Sequence, residues 1–220
     1  DDARHDVYDV PSLAAVSQSH GVTHGRAAIP HYRFDRADVV VAFDADFLGT
    51  WLSPVEFTGQ YAAARPALHV QVESRFSLTG TKADVRLVAS PAESRRLLDA
   101  LAAAVGGWPR STPRALAGAD RRAETARIVA LAPRLAAAHG RALVVCGIDD
   151  VEVQSLVNDL NESLGAYGRT IELERRSLQR LGDADAPRRL ADEIDAGDCD
   201  LLVLAGVNPV YDRPDGTAWA

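Results

Sequence analysis

A chain of 220 residues with 47% apolar content is long enough for one large α/β domain or two small ones. Its formal net charge of -7 argues against nucleic acid or an anionic membrane surface as the main partner, because both need clustered positive charge. No stretch approaches the roughly 18 apolar residues of a membrane span, so direct insertion is not expected.

Lys82 is the only lysine, and the arginine and alanine bias reads as genome composition rather than as selection for anion binding. The sequence contains no methionine. Cys146 and Cys199 each adjoin an apolar run and read as small buried residues. Two cysteines make neither a disulfide framework nor an iron–sulfur set. The chain begins at Asp1 and stops at Ala220 soon after a strand and turn, which suggests a fragment of a longer protein.

In chain order, Pro11 to His20 reads as a short helix stopped by Gly21, followed by a surface loop to Phe34. Asp38-Val-Val-Val-Ala-Phe-Asp44 predicts a buried strand. The polar turn after it runs into a helix opened by Ser53, Pro54 and Glu56, a capping box. Leu68 to Ser74 alternates apolar and polar residues as a strand does, and a polar loop from Arg75 to Lys82 precedes another strand, Asp84 to Ala89. Ser90-Pro-Ala-Glu93 repeats the cap, ahead of an apolar stripe of Leu97, Leu98, Leu101 and Val105 at helical spacing.

Gly106 to Pro113 has the composition of a linker, so two lobes are expected, residues 1–110 and 111–220. A helix from Asp120 to His139, kinked or split at Pro133, opens the second. Strands at Ala142–Cys146, Thr170–Glu174 and Asp200–Ala205 then alternate with helices at Val151–Leu164 and Pro187–Ala196. The pattern predicts α/β architecture with mainly parallel sheets covered on both faces, two Rossmann-like lobes.

The usual glycine routes to a nucleotide are missing: there is neither a Walker-type loop nor G-x-G-x-x-G. A G-x-S-x-G elbow is absent too, and Ser53 and Ser90 read as caps rather than nucleophiles. His20, His24, His31 and Asp35 contain imidazoles at helical spacing, but Gly21 and Gly25 interrupt a helix there. Exposed or hydrogen-bonded loop histidines are expected rather than a metal site. Asp44 and Asp46 at a strand end fit two roles, an acid–base or ligand-binding pair, or acceptors for the N–H groups of their own turn. Glu73-Ser74-Arg75 ends the next strand on the same edge. Its carboxylate suits a guanine N–H edge or a ribose hydroxyl and its guanidinium a phosphate, or the two form a surface ion pair.

Three stretches carry a resemblance: Ile29-Pro-His-Tyr-Arg-Phe through Asp44-Ala-Asp46-Phe-Leu-Gly-Thr-Trp-Leu-Ser-Pro54, His69-Val-Gln-Val-Glu-Ser-Arg through Arg86, and Ala205-Gly-Val-Asn-Pro-Val-Tyr-Asp212. They resemble the molybdopterin-oxidoreductase-like part of the iron–sulfur subunit of alternative complex III, the bacterial quinol:electron-acceptor oxidoreductase. In the wider family the corresponding segments hold paired molybdopterin guanine dinucleotides, with G-x-N-P at the strand-end turns. Gly206-Val-Asn208-Pro209 keeps that motif, whereas the first turn has Asp44-Ala-Asp46-Phe47, and the guanine-side Asp-Pro-Arg is replaced by Glu73-Ser74-Arg75. Were a pterin dinucleotide retained, Asp46, Glu73, Ser74, Arg75, Gly206 and Asn208 would be its contacts. Asp46 facing a pyrophosphate would be repelled strongly in a low-dielectric cleft.

The resemblance therefore implies a scaffold that kept the fold and lost the metal. It also implies iron–sulfur clusters elsewhere in the subunit, haem- and quinol-binding membrane subunits as partners in a respiratory complex, and a place on the periplasmic face of the bacterial inner membrane. The rival expectations are a domain that still binds the pterin dinucleotide and a free-standing nucleotide-binding enzyme. On the scaffold reading, side chains such as Phe47, Trp51 or Tyr211 fill the strand-end cleft.

Overall fold

The structure, a computed structural model, describes residues 4–7, 13–106, 119–179, 186–212 and 216. The first elements are helix α1 (Ala14–His24), strand β1 (Ile29–Tyr32), a 3-10 turn (Phe34–Arg36), β2 (Val39–Phe43), α2 (Pro54–Ala63), β3 (Leu68–Glu73), α3 (Leu78–Lys82), β4 (Val85–Val88) and α4 (Pro91–Gly106). After them come α5 (Ala119–Val129), α6 (Ala132–Ala137), β5 (Ala142–Cys146), α7 (Val151–Ser163), β6 (Ile171–Ser177), α8 (Ala186–Ala196) and α9 (Pro209–Asp212).

Val39 to Phe43 is apolar and largely β-branched without alternation, the pattern of a strand covered on both faces. It lies inside a parallel sheet of order β4-β3-β2-β5. The chain moves outward from β2 to β3 and β4, then returns to place β5 on the other side of β2. That order is compatible with a Rossmann-like α/β fold and puts a topological switch point between β2 and β5. One face of the sheet meets α4 and α7, where Leu97, Leu98, Leu101, Val153, Val157 and Leu160 pack on Val41, Val70, Val72 and Val144. This is the stripe predicted for α4. The predicted helix over residues 120–139 is split just ahead of Pro133, as α5 and α6, because proline cannot continue the donor ladder.

The sheet ends at β5 for a chemical reason. Asn161 of α7 accepts from the Val144 amide at 3.0 Å and donates to its carbonyl at 2.7 Å, imitating a neighbouring strand. Thr170 donates to the Ala142 carbonyl and Gln154 to that of Cys146, both at 2.9 Å. Side chains thus occupy the edge that another strand would need.

Several expectations change. Asp200–Ala205 is not a strand: no ladder partner pairs with it among the described residues, and the run is exposed, Leu201 by 81% and Val203 by 76%. An apolar run supplies the propensity for a strand but not the second backbone that completes one. Gly21 does not stop α1, which continues to His24 and ends where Gly25 takes φ +68. The expected surface loop from Gly21 to Phe34 instead contains buried β1, paired antiparallel with β6 in a separate two-stranded sheet. The polar loop after Arg75 contains α3, capped by Ser77 accepting from the Gly80 amide. Ser53 precedes α2 without a side-chain cap bond, and Glu56, the other arm of the expected box, meets His31 and Gln60 instead. At Ser90 one arm of the box forms, its amide donating to Glu93 at 2.8 Å.

The sheet takes β2, β3 and β4 from before residue 110 and β5 from after it, so the expected boundary falls within a connection of one sheet. The chain groups into one unit of residues 15–179 and another of 1–14 with 180–220. In the second, Arg4 is bidentate to Glu193 of α8 at 2.7 and 2.6 Å. The start of the first expected helix, 11–12, and most of the expected linker, 107–113, lie outside the described residues.

Candidate functional site

Ligands of open α/β sheets bind beyond the carboxyl ends of the strands, so the turns after β2, β3 and β5 define the candidate site. Asp46 organises the turn after β2. Its carbonyl accepts from the amides of Gly49, Thr50 and Trp51 at 3.0, 2.8 and 2.8 Å, closing the chain on itself. Its Oδ1 accepts from the Thr79 amide at 3.0 Å and the Thr79 hydroxyl at 2.8 Å, while that hydroxyl accepts from the Leu48 amide at 2.9 Å. Gly49 is required here: a Cβ on it would lie 2.1 Å from Asp46 Oδ2. The Asp46 carboxylate thus accepts from Thr79 of α3 rather than from the N–H groups of its own turn, which its backbone carbonyl takes.

Glu73 is buried, 2% exposed, and its carboxylate is fully engaged. Arg86 Nε and the Ser77 amide donate to Oε1; the Ser77 hydroxyl and the Gln71 amide donate to Oε2. Burial works to raise its pKa, but Arg86 and Ser77 together hold it below the usual carboxylate range. A Cβ on Gly80 would lie 2.1 Å from Oε1, so α3 presents a bare backbone to the acid. The ion-pair partner is therefore Arg86 on β4, not the nearby Arg75, with the carboxylate buried and the guanidinium half-buried.

The alternation of β3 has the same origin. His69, Gln71 and Glu73 share one face, as expected, but none faces solvent. Tyr61 meets His69 Nδ1 at 3.1 Å, and Phe47 lies over the ring at 5.2 Å between centroids. Burial lowers the His69 pKa to about 4, with the Gln71 side chain working against it.

The switch point itself is closed by backbone. Gly147, after β5, donates to the Phe43 carbonyl at 2.8 Å, and a Cβ on it would fall 2.2 Å from the Asp44 carbonyl oxygen. Asp44 holds a left-handed φ of 49, and its Oδ1 accepts from the Ser74 amide at 3.2 Å. Phe47 and Trp51 are buried behind this turn. Tyr211, expected beside them, is exposed.

Ser74 and Arg75 are exposed at the end of β3. Ser74 borders a groove of about 480 Å³ shared with Val88, Ser90, Glu93 and Glu124, whose two carboxylates oppose a phosphate. Gly206 and Asn208 belong to the other unit. Gly206 takes φ +70, and Asn208 starts α9, accepting from the Tyr211 and Asp212 amides. Asp46, Glu73 and Ser74 are thus brought to one sheet edge, while Gly206 and Asn208 serve a local turn.

The histidines divide. His20 and His24 do share a helix face, ring centroids 5.5 Å apart, because α1 passes through Gly21. His20 donates from Nδ1 to the Val16 carbonyl at 2.7 Å and accepts from Tyr167 at Nε2, and burial lowers its pKa to about 4. His31 pairs with Glu56 and Glu172, and Asp35 with Arg33. Among the described residues no group of three or more such side chains is disposed to hold a metal ion. Cys146 is buried, its thiol pushed up to about 12 by burial, whereas Cys199 is only half-buried.

Sequence reasoning missed Thr79, Gly80, Gly49 and Arg86. The one available signal was the pair of glycines placed after each acid, Asp46-x-x-Gly49 and Glu73 followed by Gly80. Neither a scan against protein-family models nor a search of curated proteins finds a match for this chain.

Proposed function

We propose that this chain is a structural and docking part of a respiratory electron-transfer oxidoreductase subunit, with a molybdopterin-oxidoreductase type of fold that works without a bound molybdenum cofactor. The observation that carries this reading is the internal use of the strand-end acids. Asp46 is bound by Thr79, and Glu73 by Ser77, Gln71 and Arg86, so neither carboxylate is presented to a ligand. The residues present do not fit a pterin dinucleotide: the strand-end acids take up the N–H and cationic donors that a pyrophosphate needs, and Gly147 closes the switch point against Asp44. The resemblance over residues 29–54, 69–86 and 205–212 supplies the respiratory context, with iron–sulfur clusters carried elsewhere and membrane subunits as partners.

The test separates support from catalysis. Glu73→Gln and Asp46→Asn are introduced into the full subunit in its host, and the amount of assembled complex is measured separately from electron transfer per assembled complex. A scaffold loses assembled complex while turnover per complex stays within about twofold. A fall in turnover per complex of tenfold or more would make these residues cofactor contacts.

A further inference from the structure

Residues 74–84 join β3 to β4 and lie over the strand-end acids. Their large apolar side chains, Phe76 and Leu78, point outward, 67% and 54% exposed. The buried residues of the connection are Thr79 and Gly80, so its inner face is polar. Helix α3 within it has five residues, too few to hold its shape without tertiary contacts. This segment is therefore fastened differently from α4, which leucines pack onto the sheet.

Three carboxylates fasten it. Glu73 accepts from the amide and hydroxyl of Ser77, the residue that caps α3, and from Arg86 of β4. Asp46 accepts from the amide and hydroxyl of Thr79 at 3.0 and 2.8 Å. At the far end Asp84 accepts from the His69 amide at 2.7 Å and from Arg65 of α2 at 2.6 Å. Tyr61 adds a hydrogen bond to the Lys82 carbonyl at 3.2 Å. Burial works to raise the pKa of both Glu73 and Asp84, but Arg86 and Ser77 at the one, and Arg65 and the His69 amide at the other, hold each below the usual carboxylate range. Their stabilisation is present above the unfolded-state value and is lost as pH falls through the lower folded one. His69, on β3 and facing Asp84, Arg65 and Glu73, has its pKa lowered to about 4 by burial, so acid also places a charge beneath the segment.

We propose that residues 74–84 are a strap, latched by carboxylates, that opens as a unit in acid while the parallel sheet stays folded, turning Asp46 and Glu73 to solvent. The strand-end edge then has a closed and an open state, and pH sets their ratio. Opening costs the sheet none of its own ladder between β2, β3 and β5, and it buries no exposed leucine or phenylalanine that must first be withdrawn. This inference does not depend on the respiratory reading.

Hydrogen exchange read by mass spectrometry on the full chain, from about pH 7 down to about pH 3, provides the test, with each rate divided by the intrinsic rate of its amides at that pH. Peptides covering the strap are compared with those of β2 and β5. Strap protection is expected to fall at least about tenfold on acidification while the two strands keep theirs. Thr79→Val removes a donor to Asp46 without changing any charge and is expected to lower strap protection at least about fivefold at neutral pH. Glu73→Gln is expected to lower it too and to flatten its pH response, since a titrating latch is gone. Retained protection of β2 and β5 shows that each variant is folded, and the wild-type profile tests the proposal without them. A strap that keeps its protection in acid, one that loses it only together with the strands, or one already unprotected at neutral pH would each overturn the proposal, as would folded variants whose strap exchanges like wild type.

Discussion

Two glycines are set against two carboxylates, and this is where single atoms decide the strand-end site. Glu73 cannot withdraw from a new methyl at Gly80 without releasing Arg86 and Ser77. Gly80→Ala is therefore expected to lose about 1–3 kcal/mol by overpacking, read from urea unfolding, and a wild-type midpoint would contradict it. The buried acid and the buried histidines act on different parts of the pH scale. Glu73 is held below the usual range when folded, so its stabilisation is present above the unfolded-state value and is lost as pH falls through the lower folded one. His69 and His20, at about 4 against an ordinary 6.5, bind fewer protons folded than unfolded between those values. Stability should then rise with pH across that window, by up to about 1.4 kcal/mol per pH unit for each histidine. His69→Gln should flatten the slope between pH 4 and 6.5; an unchanged slope would remove His69 from the account.

Among the elements, β5 and α4 illustrate the two means by which the sheet is held. Leu101 is fully buried among the sheet and its covering helices, and Leu101→Ala should cost about 2–5 kcal/mol. Asn161 matters for a different reason. Replacing it with alanine leaves the Val144 N–H and C=O unpaired at a buried edge, an expected loss of about 1–3 kcal/mol for each group left unsatisfied. Equilibrium unfolding of both variants checks this, and a neutral Asn161→Ala would mean that another group satisfies the edge. The contrast also shows what could be read in the sequence. The strands β2 and β5 and the stripe on α4 were legible because apolar periodicity is local. The buried polar face of β3 was not, since alternation reports two faces but not that a folded-over turn covers the polar one. Asp200–Ala205 misled for the converse reason: its composition is that of a strand, while pairing needs a second backbone that composition does not report.

For the whole molecule, the site residues were legible as positions and ambiguous as roles. The acids at Asp46 and Glu73 were correctly placed on one sheet edge by strand counting. Whether they face a ligand or their own turn depended on Thr79, Ser77 and Arg86, which are distant in sequence or of a type that propensity does not flag. The switch point offers the same lesson, because Gly147 closes it through backbone approach rather than through a recognisable motif. The account thus rests on a sheet whose ligand edge is completed by its own chain. The most direct measurement is the molybdenum, tungsten and pterin content of the full subunit purified from its own host. Elemental analysis and fluorescence of the oxidised pterin are expected to show iron with no stoichiometric molybdenum, tungsten or pterin. Stoichiometric metal together with pterin would contradict the account and return Asp46, Glu73, Arg75 and Asn208 to the role of cofactor contacts.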